Sequence, residues 1–135
     1  MNMSVLSESE RAAAADDAFR WGPLLVVLAG TFVTFLDFFI VNVALDSIGT
    51  RLHAGPAALQ LIVAGYGLAF AVAMISGGRL GDVYGRRRMF SIGLALFTLT
   101  SLACGLAPNA GVLVGARVLQ GASGALLTPQ VLAIL

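Results

Sequence analysis

Four long apolar runs separated by short polar turns constrain this chain more than any other feature. They cover residues 24–45, 58–78, 89–107 and 111–135. A helix rises about 1.5 Å per residue, so roughly 20 apolar residues cross about 30 Å of hydrocarbon. Each run comes close to that length or exceeds it. The second and third contain no charge, the first contains only Asp37 and the fourth only Arg117. Composition agrees, with 59% apolar and 11% charged residues. A soluble domain carries about 25% charged residues, and this chain has too few to coat one. The expected fold is an all-α integral membrane protein. Four transmembrane helices lie within residues 21–135, and residues 1–20 form a flexible cytoplasmic tail.

Arginine placement sets the expected orientation. Arg11 and Arg20 lie before the first run, and Arg79, Arg86, Arg87 and Arg88 lie between the second and third. Arg51 alone follows the first run, and no arginine stands in the turn Pro108-Asn109-Ala110. Basic residues stay on the cytoplasmic side, which puts the N-terminus and the loop 79–88 there. Four crossings return the chain to the same side. Trp21 stands where an interfacial indole is expected. The start is not a secretory signal, because Glu8 and Glu10 precede Arg11 and the apolar run is far longer than a signal core.

Several function classes drop out. A net charge of +1 gives no basic surface for nucleic acid. The sequence has no lysine, and a phosphate-binding P-loop or a Schiff-base enzyme needs one. A single cysteine supports neither a disulfide framework nor a cysteine-rich zinc site. No metal-ligand spacing and no nucleophile–base pair stands out, so neither an enzyme nor a cofactor is expected.

The polar residues inside the runs carry the argument further. A central Asp costs about 2.5–3.5 kcal/mol on insertion, while each Leu, Ile, Phe or Val returns only about 0.3–0.6. Asp37 should therefore face a protein interior or a water-filled cavity, with Thr34 one turn earlier on the same face. Arg117 has Gln120 and Gly121 at i+3 and i+4, and its alternative role is snorkelling to the interface. Gly121, Gly124 and Thr128 make a small-residue stripe that permits close helix contact, and Pro129 is expected to bend the helix. Asp37 is 13 residues into its run, about 20 Å from the cytoplasmic face. Arg117 is 6 residues into its run from the outside, about 9 Å down, so the two charges stand at nearly the same level. In the loop, Asp82 among arginines reads as an ion-pair cluster, with Gly78 and Gly85 allowing tight turns. Cys104 reads as an apolar filler and His53 as solvated; lining a path is one reading of Tyr66 and Gln60, but the second run gives no clear signal.

These residues resemble a known family. The loop Gly78-Arg-Leu-Gly-Asp82-Val-Tyr-Gly85-Arg86-Arg87-Arg88 resembles the Gly-x-x-x-Asp-x-x-Gly-Arg-Arg signature of the major facilitator superfamily. Arg117-Val-Leu-Gln120-Gly121-Ala-Ser-Gly124, followed by Pro129, is similar to that superfamily's fourth-helix motif. Leu36-Asp37-Phe-Phe-Ile-Val-Asn42-Val-Ala44-Leu45 resembles the first-helix motif of its drug:proton antiporters, in particular the fourteen-span branch. The three motifs stand in order across about residues 20–135. Phe39, Asp46 and Val83 depart from the usual Thr, Pro and basic residue.

The resemblance implies a proton-coupled secondary exporter of drug-like small molecules in the cell membrane, with this chain as its N-terminal fragment. It holds one three-helix repeat and the first helix of the next. Asp37 and Arg117 would serve proton coupling, and the helices carrying Thr34, Gln120, Gly121 and Gly124 would face a cavity. Gly78, Asp82, Gly85, Arg86 and Arg87 would form a cytoplasmic latch against the C-terminal remainder. The implied partners are substrate, protons, the bilayer and that remainder, with no cofactor and no nucleic acid. Two alternatives stand beside this reading. One is a truncated fragment that does not transport. The other is a four-span exporter acting as a dimer, which is disfavoured because such proteins carry Glu in their first span and lack the loop signature. Orientation is checked by single cysteines at Ser4 and Thr50 in a Cys104→Ala background, where a membrane-impermeant reagent should modify position 50 and spare position 4.

Overall fold

The computed structural model describes residues 7–134, with side chains outside Ser9, residues 11–20 and Ile134. Among the described residues are four helices and no strand: α1 (Glu8–Arg51), α2 (Pro56–Tyr84), α3 (Arg86–Gly105) and α4 (Ala110–Ile134). Each contains an apolar stretch long enough to cross a membrane. The chain is therefore an all-α multi-pass membrane protein. Large apolar residues such as Phe32, Val43, Leu68, Ile75 and Leu99 stand exposed on the outside of the helices, as contact with lipid requires.

The helices extend beyond the apolar runs. α1 begins at Glu8, where the sequence reading expects a flexible tail up to residue 20. Residues 1–6 of that tail lie outside the described residues. The reason for the earlier start is a capping box: the Ser7 N–H donates to the Glu10 carboxylate at 2.8 Å, and the Glu10 N–H donates to Ser7 Oγ at 3.4 Å. Both satisfy donors that a helix start leaves free. The alanines at 12–15 then favour helix more than any other residue type. The same hydrogen bond from the Ser7 backbone, helped by its side chain, holds the Glu10 carboxyl below its ordinary range.

The charged segment 79–88 is also largely helical rather than an open loop. α2 runs to Tyr84 and α3 starts at Arg86, so Gly85 alone joins them. Its φ of 92° is one that side-chain-bearing residues rarely adopt. Gly78 lies within α2 and makes no turn. Interfacial arginines and an aspartate do not oppose helix, and only Gly85 breaks it. For the same reason the first connection shrinks to residues 52–55, where His53 takes a positive φ of 49°. α3 ends at Gly105, and Asn109 Oδ1 accepts the Val112 N–H at 2.9 Å to cap α4.

α4 is the central helix. Half of its apolar stretch is buried, against 11–22% for the other three. Lipid tails are as apolar as leucine, so helices in a membrane associate through close packing of small residues. Gly121 lies directly against the Tyr66 backbone of α2, where a Cβ would collide. Gly93 of α3 faces Leu126 and Leu127. Pro129 has no N–H to give the Ala125 carbonyl four residues earlier. That carbonyl faces Gly77, where a Cβ would come within 2.7 Å of it. One residue on, Gln130 Nε2 donates to the Gly77 carbonyl at 3.0 Å and its side chain lies over Gly81. The proline turn of α4 is thus interlocked with the Gly77–Gly81 segment of α2.

Substituting Gly121→Val should destabilise the bundle by about 1–3 kcal/mol through overpacking. Gly115→Ala, where no atom lies within 4 Å of the added carbon, should leave stability unchanged or slightly raised. Thermal unfolding in detergent distinguishes the two.

Candidate functional site

The two charges inside the apolar stretches meet. Arg117 Nη1 donates to Asp37 Oδ2 at 2.7 Å, with the arginine side chain 1% exposed and the aspartate side chain 17% exposed. The level match expected from helix rise is thereby realised as direct contact. A snorkelling Arg117 is excluded, because its side chain points into the bundle rather than to the interface. Asp37 stands near the middle of the apolar stretch Trp21–Arg51, where an unpaired carboxylate is most costly.

Three further groups surround the guanidinium. Nη1 also donates to Gln120 Oε1 at 3.0 Å, and Nε donates to the Ile62 carbonyl of α2 at 3.4 Å. The Tyr66 ring lies under the guanidinium carbon, 4.2 Å from ring centroid to Cζ, a cation–π contact strengthened by desolvation. Cys104 Sγ on α3 donates to the same Gln120 oxygen at 3.3 Å. Residues from all four helices therefore converge on one ion pair. Two buried donors, Arg117 Nη2 and Gln120 Nε2, have no hydrogen-bond partner among the described residues. Both residues line a cavity of about 580 Å³ that also reaches Asp37, Ser101 and Arg51.

The remaining candidates divide. Thr34 is buried, but its hydroxyl donates to the Gly30 carbonyl at 2.9 Å and not to the ion pair. Gly121 and Gly124 pack against Tyr66, and Gly124 also faces Thr34. In the charged segment, Asp82 pairs with Arg86 at 3.4 Å with both side chains well exposed. Arg86 Nη1 also donates to the Ala133 carbonyl at the end of α4, at 2.8 Å. That ties the α2–α3 junction to α4. Among the described residues none of Gly78, Gly85 and Arg87 joins an ion pair: Gly78 packs near Pro129, Gly85 makes the turn, and the Arg87 carbonyl accepts the Ser91 hydroxyl. Tyr66 and Cys104 are the residues that sequence reasoning missed. The available signal for Tyr66 was its place near the middle of its run, level with the charges.

The sequence pattern of the Major Facilitator Superfamily matches residues 27–135. The probable actinorhodin transporter of Streptomyces coelicolor is 43% identical over 118 residues, covering 87% of this chain and 20% of that protein. The tetracenomycin C resistance and export protein of Streptomyces glaucescens is 44% identical over 115 residues, 85% of this chain and 21% of its own length. The cephamycin export protein CmcT of Amycolatopsis lactamdurans is 44% identical over 132 residues, 98% of this chain and 27% of its own length. With its apolar helices, its paired intramembrane charges and this match, the chain belongs to the major facilitator superfamily. It spans about a fifth to a quarter of the length of these relatives.

Leaving either charge unpaired in a buried site costs about 3–5 kcal/mol. Arg117→Gln and Asp37→Asn should each lower thermal stability in detergent by that order. The double variant should lose less than the sum, with a coupling of about 0.5–3 kcal/mol. Additive losses would show that the pair contributes nothing beyond its separate contacts.

Proposed function

We propose that the chain works within a proton-coupled exporter of drug-like small molecules in the cell membrane, with its N-terminus in the cytoplasm. One observation carries this reading: a carboxylate in the middle of an apolar helix, paired to a buried arginine and reached by a cavity. The export and resistance named for the relatives support it. The arginine distribution supports the orientation.

In this reading Asp37 is the proton carrier. When ionised, it is held by Arg117, and the ion pair ties α1 to α4. When protonated, it is neutral and the pull between the helices weakens. Arg117 then still has Gln120, the Ile62 carbonyl and the Tyr66 ring, so the guanidinium stays in place while α1 is released. That asymmetry makes α1 the element whose position follows protonation. Proton flow down its gradient would drive substrate the other way, through rocking of this bundle against a facing one. The contacts of Arg86 with Asp82 and with the Ala133 carbonyl would act as the cytoplasmic latch, with Gly85 as its turn and Gly78 and Arg87 flanking it.

The test is efflux from proteoliposomes holding the protein made from the whole open reading frame, with an imposed pH gradient. Asp37→Asn should abolish gradient-driven efflux. Arg117→Gln should reduce it, because the carboxylate loses the cation that holds it at 2.7 Å. The double variant should be no worse than Asp37→Asn alone. Full gradient-driven efflux in Asp37→Asn would leave the pair a structural contact and end the proton-carrier reading.

A further inference from the structure

The cavity that reaches the ion pair has a direction. On α1 it follows one face, Asp37, Val41, Ala44, Ile48 and Arg51, about four turns and roughly 20 Å of helix rise. Ser101 and Cys104 of α3 form a second wall, and Leu113, Arg117 and Gln120 of α4 form the third. The cavity therefore runs from the carboxylate to the end of the bundle where α1 and α2 are joined. No residue of α2 lines it.

Its walls are rich in donors and poor in acceptors. Arg117 and Gln120 are both buried, yet Nη2 of the first and Nε2 of the second have no hydrogen-bond partner among the described residues. Hydroxyls elsewhere in the spans, such as those of Thr31, Thr34, Ser91, Thr98 and Ser123, donate to carbonyls of their own helices. Among the described residues the hydroxyls of Ser47 and Ser101, both in the cavity wall, make no such bond. The one anionic group in the wall is Asp37, and it already holds Arg117 Nη1 at 2.7 Å. Arg51 and Arg117 against that one carboxylate leave the wall net positive. A buried donor without a partner is costly, so an occupant that brings acceptors is favoured.

Protonation of Asp37 decides which acceptor. A neutral Asp37 leaves the buried guanidinium without a counter-charge. Gln120, the Ile62 carbonyl and the Tyr66 ring then offer it dipoles but no full negative charge. An uncompensated buried cation is strongly unfavourable. Water would satisfy Nη2 and Nε2 without neutralising the cation, whereas a small anion does both. While Asp37 is ionised it repels a second anion beside Arg117, so the anion belongs to the protonated state. The other ionisable groups around Asp37 are Tyr66 of α2 and Cys104 of α3, with Arg51 at the far end of the wall. The phenol and the thiol carry no negative charge at neutral pH. We propose that this cavity binds a small inorganic anion of the halide class on Arg117 Nη2 and Gln120 Nε2 when Asp37 is protonated, with Arg51 drawing it in. Proton and anion are then taken up together, and the anion replaces the carboxylate as the partner of Arg117. The proposal rests on the proton-carrier reading for its purpose, and on the donors and the charge balance for its chemistry.

The experiment uses the protein from the whole open reading frame in lipid nanodiscs, with chloride as the probe and gluconate as the replacement anion at constant ionic strength. Binding is read from the excess width of the chloride NMR line over empty nanodiscs, in acidic and in mildly alkaline buffer. The unmodified protein should broaden the line in acidic buffer and much less in alkaline buffer. Asp37→Asn, whose side chain is neutral throughout, should broaden it in both, and chloride should raise the thermal transition of that variant. Gln120→Leu should weaken binding by about tenfold, the effect of one hydrogen bond to a charged group. Arg117→Gln should abolish it. Each variant is checked for a cooperative thermal transition; Gln120→Leu removes a donor and no charge, so it carries the test where Arg117→Gln does not fold. Broadening that survives both variants unchanged would put the anion on the exposed arginines of the α2–α3 junction and overturn the proposal. A line that Asp37→Asn leaves narrow in both buffers would also overturn it and leave the cavity to water. Chloride binding that follows these variants without Asp37-dependent efflux would retire the export reading and keep the site. Asp37-dependent efflux with no chloride broadening would do the reverse.

Discussion

A charge inside hydrocarbon has to be answered, and the Asp37–Arg117 pair is how this bundle answers two at once. The rest of the arrangement follows from bringing them together. α4 must cross beside α1 at the level of Asp37, and α2 must come close enough to offer the Ile62 carbonyl and the Tyr66 ring to the guanidinium. Gly121 permits that approach because a side chain at that position would occupy the space of the Tyr66 backbone. Gly121 of the small-residue stripe is thus a condition for the charge contact.

The strength of attachment is uneven around α4. It meets α2 and α3 along most of its length, while α1 touches the others sparsely. The Pro129 turn, the Gly77 carbonyl and Gln130 lock α2 to α4 without any ionisable group. α1 is held by an ion pair and by aromatic packing of Phe38 on Tyr66. α2 and α4 are therefore joined chiefly by close packing and α1 is fastened chiefly by one ion pair.

Much of this was legible in the sequence, for physical reasons. Hydrocarbon forbids unpaired backbone groups, so a long apolar run can only be a helix, and the four spans followed. The rise of a helix is fixed, so the level match of Asp37 and Arg117 could be computed from counting alone. Helix ends were harder to read. The apolar pattern stops where lipid stops, but the backbone has no reason to unwind there; α1 continues to Glu8 under the Ser7 cap, and 79–88 stays helical except at Gly85. Tyr66 stayed hidden because its role depends on which face of α2 turns toward α4. That choice is made by Gly121, on another helix, and no pattern within α2 states it.

The 80 residues that separate the partners of the ion pair also have a meaning in time. Translation proceeds at about 5–20 residues per second, so Asp37 leaves the ribosome roughly 4–16 s before Arg117. During that interval α1 enters the bilayer with its carboxylate unanswered. Its apolar stretch is the most hydrophobic of the four, which is what such a wait demands. The excess of leucine, valine and phenylalanine in α1 is an allowance for biosynthesis, made necessary by a partner that arrives later.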